Sequence, residues 1–404
     1  MAVTSTLRDS MRHASTRPLR VAQINANFAG GSGGIMLREA CAVDPERYAA
    51  TILTPGDGGP LFDRARDEGI DVIRLRQMGG GRHVYPGADV HALRELSWHL
   101  AEHSFDVVHT HAGRAGAIGR IAAHRVGVRA IVHTLHGFPF NEFQNPATRA
   151  ALRAIERRLG RITDYFLTDG SFVASEAIRL KIARPDRIRA VISPVDAVPP
   201  TSASARREAR RILGIPDDAK VVGTAARLAV QKSPLDMVNA IAALRRPDVY
   251  MVWLGDGELR LDTERLIAKE GLEGRFLLAG DRDDVAFLLP AFDVFALSSL
   301  WEGLPCSLIE AMMCGIPAVA TAVNSVPELV LSARTGLLAR PADPRSLTRA
   351  IAYMLDHPGE AARMAEAARA EIGHKYHADR LGADLMHVYE TALELAAPRA
   401  ARTR

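Results

Sequence analysis

Short, continuously apolar runs alternate with helix-like stretches along almost the whole of this chain, and they fall into two series. The first occupies residues 20–25, 50–54, 72–75, 107–110, 130–135 and 165–168. The second occupies 221–225, 249–254, 276–279, 294–297 and 318–321. A brief apolar run without polar alternation reads as a strand buried on both faces. Strands of that kind separated by helices are satisfied by a parallel sheet covered with helices. Two series imply two such units, and 404 residues suit two cores better than one. The expected fold class is therefore α/β, with two Rossmann-like, doubly wound domains.

The break between them is expected at 193–205, where Pro194, Pro199 and Pro200 stand among small polar residues in a linker-like composition. The domain plan that follows is a disordered lead over 1–18, one domain over 19–197 and a second over 198–376. A terminal helix over 377–396 and a disordered tail over 397–404 complete it. Leu381, Leu385, Val388, Tyr389 and Ala392 recur at helical spacing in that last helix. No apolar stretch approaches the roughly 18 residues of a membrane span. The polar lead has no apolar segment of a secretory signal. Cys41, Cys306 and Cys314 show no paired spacing, so a reducing cytoplasm is the expected setting. A net charge of +4 favours anionic surfaces or phosphorylated ligands as partners, and no nucleic-acid partner is expected.

The second half carries the strongest signal, Leu300-Trp-Glu-Gly-Leu-Pro-Cys-Ser-Leu-Ile-Glu310. A helix is expected to begin near Pro305, a first-turn position, and to stop at Cys314-Gly315. Glu302 then lies in the loop after the 294–297 strand and Glu310 on the early helix. Both would face the crevice outside the strand's carboxyl end, where open α/β sheets bind ligands. The free N–H groups of Cys306, Ser307 and Leu308 would form an anion site at the helix N-terminus. Taken alone, such a Glu310 is more often a helix-stabilising acid and such a Glu302 a surface loop residue. A second segment coincides with the first, Arg227 to Asp236. Ser233 is expected to cap a helix with Pro234 in its first turn and Asp236 completing a capping box. Arg227 and Lys232 would then sit on the loop that opens the helix, two cations suited to a diphosphate leaving group. Gly255 follows the 249–254 strand and permits close backbone approach. Asp281 and Arg282 share the next loop. Asp281 with Asp283 has DxD form, but Asp283 or Asp284 as cap of the following helix is the better reading.

In the first half, strand 20–25 runs into the glycine run Gly30, Gly31, Ser32, Gly33, Gly34, a loop in which backbone could meet phosphate. His136 ends strand 130–135. His109 and His111 resemble half of a metal site, with no third ligand evident from spacing. The run 149–161 holds five Arg and one Glu, with Leu152, Ile155 and Leu159 on one face. It reads as a solvated helix face or as a contact for an anionic membrane.

These residues together resemble family 4 retaining glycosyltransferases. Glu302 to Glu310 resembles that family's E-x7-E motif, and Arg227 with Lys232 its phosphate-binding pair. Gly30-Gly31 is similar to its first phosphate loop, and His136-Gly137 to its N-terminal-domain histidine. The 107–116 stretch, Val-Val-His-Thr-His-Ala-Gly-Arg-Ala-Gly, is similar to a signature of the capsular and exopolysaccharide branch. The resemblance spans roughly 20–395. It implies a GT-B fold, two domains facing a central cleft, with an N-terminal acceptor domain and a C-terminal nucleotide-sugar donor domain. It implies that the last helix returns to the N-terminal domain. It implies ribose contact by Glu310, donor-sugar contact by Glu302 and His136, pyrophosphate contact by Arg227 and Lys232, and base-edge contact by the 280–284 loop. The partners implied are a nucleotide-sugar donor, a UDP-sugar as is common in this branch, and a saccharide or lipid-linked acceptor meeting the loops at 79–88 and 113–116. No cofactor and no metal are implied, and the location implied is cytoplasmic or peripheral on the inner membrane face. Two departures stand out. Ser193-Pro194-Val195-Asp196 replaces an Asn-Gly turn at the interdomain junction, and Ala226 replaces a Gly before Arg227.

Three other readings compete. A sugar-nucleotide epimerase or hydrolase would share the architecture without the paired-Glu logic. A nicotinamide dehydrogenase would use the glycine run with Asp57 as its ribose acid, and leaves the second half's motifs unexplained. A non-catalytic sugar-nucleotide sensor would keep the pocket without turnover.

Overall fold

The computed structural model describes residues 17–28, 30–56, 58–78, 87–191, 195, 201–375 and 378–400. The expected lead up to residue 16, Asp57, residues 79–86 of the expected acceptor loop and residues 401–404 of the expected tail lie outside the described residues. So does most of the junction, including Ser193, Pro194, Asp196, Pro199 and Pro200.

Two parallel sheets organise the chain. The first has seven strands in the order β3-β2-β1-β4-β5-β6-β7. They are β1 (Leu19–Ile24), β2 (Tyr48–Thr54), β3 (Asp71–Arg74), β4 (Val107–His111), β5 (Ala130–Leu135), β6 (Tyr165–Thr168) and β7 (Ile188–Ala190). The second has six in the order β10-β9-β8-β11-β12-β13. They are β8 (Lys220–Ala225), β9 (Val249–Leu254), β10 (Phe276–Leu278), β11 (Val294–Leu297), β12 (Ala318–Thr321) and β13 (Leu337–Ala339). Both orders reverse direction at one point, between β1 and β4 and between β8 and β11. At such a reversal the connections leave to opposite sides and a crevice opens at the strands' carboxyl ends. The strands β7 and β13 are additions to the expected series. Each is a three-residue edge strand, too short to declare itself by pattern.

The core alternates as strand geometry requires. Val21, Val107, Ala130 and Val132 bury one face of the first sheet, while Ala22, Ile24, Val108 and Ile131 bury the other. The helices that matter for the site are α1 (Gly30–Ala42), α2 (Gly113–Val126), α3 (Pro146–Leu159), α4 (Ser171–Arg179), α5 (Pro234–Leu244), α6 (Cys306–Met313) and α7 (Ala378–Ala400). Leu381, Leu385, Val388, Tyr389 and Ala392 of α7 pack on the first sheet beside Val21 and Val107. The helix runs to Ala400, beyond the expected start of a disordered tail at 397.

Local expectations fail where a side chain finds a better partner. The glycine run is helical rather than a loop, since α1 begins at Gly30 itself. At Gly33 a Cβ would lie 3.0 Å from the Phe28 backbone, so the turn entering α1 is tight. Ser233 does not cap α5. Its backbone is left-handed (φ 46°), and its hydroxyl donates to Asp236 at 2.7 Å instead of accepting a backbone N–H. Asp284 occupies the cap position of its helix, yet its carboxylate is taken by Arg282 rather than by the backbone. Pro305 stands at the cap of α6, one residue before the first-turn position expected.

Candidate active site

The loops after β8 and β11 flank the second sheet's reversal, and they hold the two segments singled out in the sequence. Their side chains meet. Lys232 Nζ lies 2.5 Å from Glu302 Oε1. The same carboxylate accepts from Ser299 Oγ at 2.5 Å and from Gln231 Nε2 at 3.4 Å. The Glu302 backbone N–H donates to Asn324 Oδ1 at 2.8 Å. Glu302 is therefore 6% exposed, a buried and satisfied carboxylate rather than a loop acid open to the crevice. Its burial is tolerable because a cation and a hydroxyl donor meet it. Arg227, by contrast, is exposed and reaches Gln231 Oε1 at 3.4 Å.

At the start of α6 the expected anion site is narrower than three groups. The Leu308 N–H turns back to the Pro305 carbonyl at 3.1 Å, so the open N–H groups there are those of Cys306 and Ser307. Glu310 is half-buried one turn further on. Burial pushes the Cys306 thiol up to about 12, opposed by Arg38 of α1 and reinforced by Glu310 and Asp169. Cys306 thus lies within electrostatic reach of both Arg38 and Asp169, which belong to the first sheet's side of the cleft.

Glycines at the second sheet's rim are there for space. Gly255 has φ 131°, and a Cβ on it would meet the Ala226 carbonyl at 2.2 Å. Its N–H donates to the Gly280 carbonyl at 2.7 Å. Asp281 Oδ1 accepts from the Asp256 N–H at 3.0 Å, and Arg282 is paired with Asp284. Asp281 and Arg282 therefore hold this rim in shape as well as lining it.

On the facing domain His136 sits at the carboxyl end of β5. Both its ring nitrogens are engaged: Nδ1 with Asp169 Oδ2 at 2.8 Å and Nε2 with His111 Nδ1 at 3.1 Å. Burial alone would lower its pKa, but Asp169 and then Glu39 outweigh it and raise the ring above the usual histidine range. The ring has no free nitrogen for a donor sugar in this arrangement. Gly30, Gly31 and Gly33 form the first turn of α1 after β1, on the other side of the same crevice.

The two domains touch through backbone. A Cβ on Gly303 would stand 1.8 Å from the His136 carbonyl, so the residue after Glu302 must be glycine for the loops to meet. The rings of Phe143 and Trp301 lie 5.5 Å apart across the same seam. Glu328 accepts from the Ser171 and Phe172 N–H groups at 2.9 and 2.7 Å, capping α4 from the opposite domain.

Sequence reasoning missed Glu39, Asp169, Gln231, Ser299, Asn324 and Glu328. Asp169 had a signal, a carboxylate one residue past a buried strand. The others are recognisable only once their partners are in place. His109 and His111 do have a third neighbour after all, Glu39 of α1.

Residues 30–193 match the model of the glycosyl transferase 4-like domain, and residues 205–371 that of glycosyl transferases group 1. The chain is 31% identical to the UDP-Gal:alpha-D-GlcNAc-diphosphoundecaprenol alpha-1,3-galactosyltransferase of Escherichia coli, covering 80% of this chain and 84% of that one. It is 27% identical to the D-inositol 3-phosphate glycosyltransferase of Salinispora arenicola, covering 95% and 94%. Among solved structures, Anabaena HepE in complex with UDP and glucose superimposes with a TM-score of 0.80 at 20% identity, over 92% of this chain and all of that one.

Proposed function

The chain belongs to the group 1, family 4 glycosyltransferases of GT-B fold, and from that premise we propose that it is a retaining enzyme moving a hexosyl or N-acetylhexosaminyl group from a UDP-sugar to a lipid-linked saccharide. The observation that carries this reading is the meeting of Lys232 and Glu302, with Arg227 and Glu310 nearby, at the carboxyl ends flanking the second sheet's reversal. A diphosphate bound there would compete with Glu302 for Lys232, freeing the carboxylate for sugar hydroxyls. Arg227 and Lys232 would stabilise the charge that gathers on the leaving diphosphate. The Cys306 and Ser307 N–H groups would add a dipolar contact, and Glu310 would accept from the ribose. The bond from the sugar's anomeric carbon to phosphate breaks as the acceptor oxygen attacks from the same face, and the leaving phosphate takes the acceptor's proton. The charge of Arg227 and Lys232 makes a catalytic metal unnecessary in this scheme. The Escherichia coli relative is named for UDP-galactose and a diphosphoundecaprenol-linked acceptor, which supports both halves of the proposal.

No described helix is long and apolar enough to cross a membrane. A lipid-linked acceptor instead calls for peripheral attachment at the inner membrane face. The helix α3 offers Arg149, Arg157 and Arg158, and Arg158 shares the face of Ile155, which is 47% exposed. Cosedimentation with anionic vesicles at low salt, lost at high salt, is the expected result. Equal recovery with neutral vesicles would remove the membrane part.

Calorimetry against UDP, GDP and ADP without added metal tests the donor. Selective UDP binding that disappears in Glu310→Ala is expected, followed by UDP-sugar consumption in the presence of a lipid-linked saccharide. Selective GDP or ADP binding would keep the class and change the donor. Nucleotide binding without transfer to any such acceptor would favour the sensor.

A further inference from the structure

Beneath His136 the first domain holds a second cluster that glycosyl transfer does not use. Glu39 comes from α1, and His109 and His111 come from β4. Two residues apart on a strand, the histidines point to one face, and their ring centroids lie 4.3 Å apart. Glu39 Oε2 is 3.6 Å from His109 Nδ1 and 3.6 Å from His111 Nε2. All three residues are buried, and their donor atoms lie within 4.8 Å of one another. We propose that Glu39, His109 and His111 form a buried binding site for a divalent transition-metal ion of the zinc class.

Spacing is the first argument. With bonds of about 2.0–2.2 Å, two ligands of a tetrahedral zinc stand roughly 3.3–3.6 Å apart. At 3.6 Å the Glu39 oxygen is too far from either ring for a good hydrogen bond and at the right distance to share an ion with both. The second argument is satisfaction. Glu39 Oε2 and His111 Nε2 are buried polar atoms with no hydrogen-bond partner among the described residues, a costly arrangement that one cation would relieve at both ends.

The third argument is the orientation of the rings. A metal-bound imidazole donates its other N–H outward to an acceptor that fixes its tautomer. His109 Nε2 lies 2.7 Å from Thr134 Oγ1. His111 Nδ1 lies 3.1 Å from His136 Nε2, and His136 Nδ1 in turn donates to Asp169. Both histidines thus have an outward acceptor for the nitrogen that does not face Glu39. The Tyr389 hydroxyl of α7 lies 3.0 Å from His109 Nδ1, the nitrogen that faces Glu39, and would have to turn its proton away for that nitrogen to coordinate, leaving its oxygen beside the ion. Two imidazoles and a carboxylate select zinc-class ions over magnesium or calcium, which prefer all-oxygen shells. The bound ion would pin α1 to β4 beneath α7 and leave His136 Nε2 as a hydrogen-bond acceptor. It plays no part in the chemistry at the diphosphate.

The test is metal analysis of the full chain, purified without a histidine tag from zinc-supplemented growth. About one zinc per chain is expected after gel filtration. Glu39→Gln and His111→Asn should retain less than a tenth of that, while the surface variant His91→Gln should match the wild type. X-ray absorption at the zinc edge of the wild-type protein should read two imidazole nitrogens with one or two oxygens. Cobalt added to stripped wild type should give the visible bands of a tetrahedral site. A wild-type chain that neither retains zinc nor develops those bands would overturn the proposal. So would zinc held equally by well-folded Glu39→Gln, or a coordination shell without imidazole. If the variants do not fold, the wild-type shell decides alone. Transfer activity is no part of the readout, so failure of the site and failure of the glycosyltransferase reading remain distinguishable.

Discussion

At the scale of single residues, the two cations expected to hold diphosphate have different standing. Arg227 is exposed, so Arg227→Ala should leave stability almost unchanged while lowering turnover about a hundredfold, the range for loss of one donor that stabilises developing charge. Lys232 is the partner of a buried carboxylate. Removing it strands Glu302, and losses of about 3–5 kcal/mol are typical when one partner of a buried pair is deleted. Lys232→Ala should therefore lower both turnover and melting temperature, as kinetics and thermal unfolding run side by side would read. An Arg227→Ala chain of unaltered activity would break the assignment. The cysteines offer a second check. Cys306 stands at a helix N-terminus, where thiols are usually acidified, yet burial prevails and carries it up to about 12. Burial likewise raises Cys314 to about 12, while Cys41 is exposed. Iodoacetamide at pH 8 should label one thiol rapidly in the native chain and three after denaturation. Rapid labelling of Cys306 would contradict the packing described.

Among elements, the contact of α2 with α3 is the most vulnerable. Arg120 lies fully buried on α2 and donates through Nη2 to both Glu156 oxygens of α3, at 3.1 and 2.9 Å. Glu156 had looked like one acid on an arginine-rich solvated face, and instead it points inward, while Ile155 turns outward. Glu156→Ala should destabilise the first domain by about 3–5 kcal/mol in urea unfolding, and Arg120→Met with Glu156→Leu should recover most of that. Stability of the double variant no better than that of Glu156→Ala would show that the pair is not what joins the helices.

Over the whole molecule, the two domains meet at places that tolerate no bulk or charge loss. Gly303 lets the Glu302 loop approach the His136 backbone, and Glu328 caps α4 across the seam. A carboxylate at a helix N-terminus is favourable, and this one is available to α4 only while the domains are together. Glu328→Ala should open the cleft, seen as a larger radius of gyration by small-angle scattering and a weaker apparent affinity for donor. An unchanged radius with wild-type affinity would show that the cap does not govern closure.

Eleven of the thirteen strands, and so both parallel sheets, were legible along the chain. Buried parallel strands need continuous apolar runs, and turns at their carboxyl ends need Gly, Pro and capping residues, so both leave marks in local order. That local logic placed Arg227, Lys232, Glu302 and His136 at or just past strand ends and Glu310 on the helix that follows. Which of them touch emerges only when the chain is folded. Glu302 meets Lys232 across 70 positions, His136 finds Asp169 and His111, Glu156 finds Arg120, and Glu39 joins two histidines on a strand beside it. A charged side chain brought out of water must be matched by whichever partner the strand order carries to it, and spacing along the chain does not encode that partner. Ser233 donates to Asp236 three residues on instead of capping, and the glycine run enters a helix packed tightly against Phe28 and Leu61.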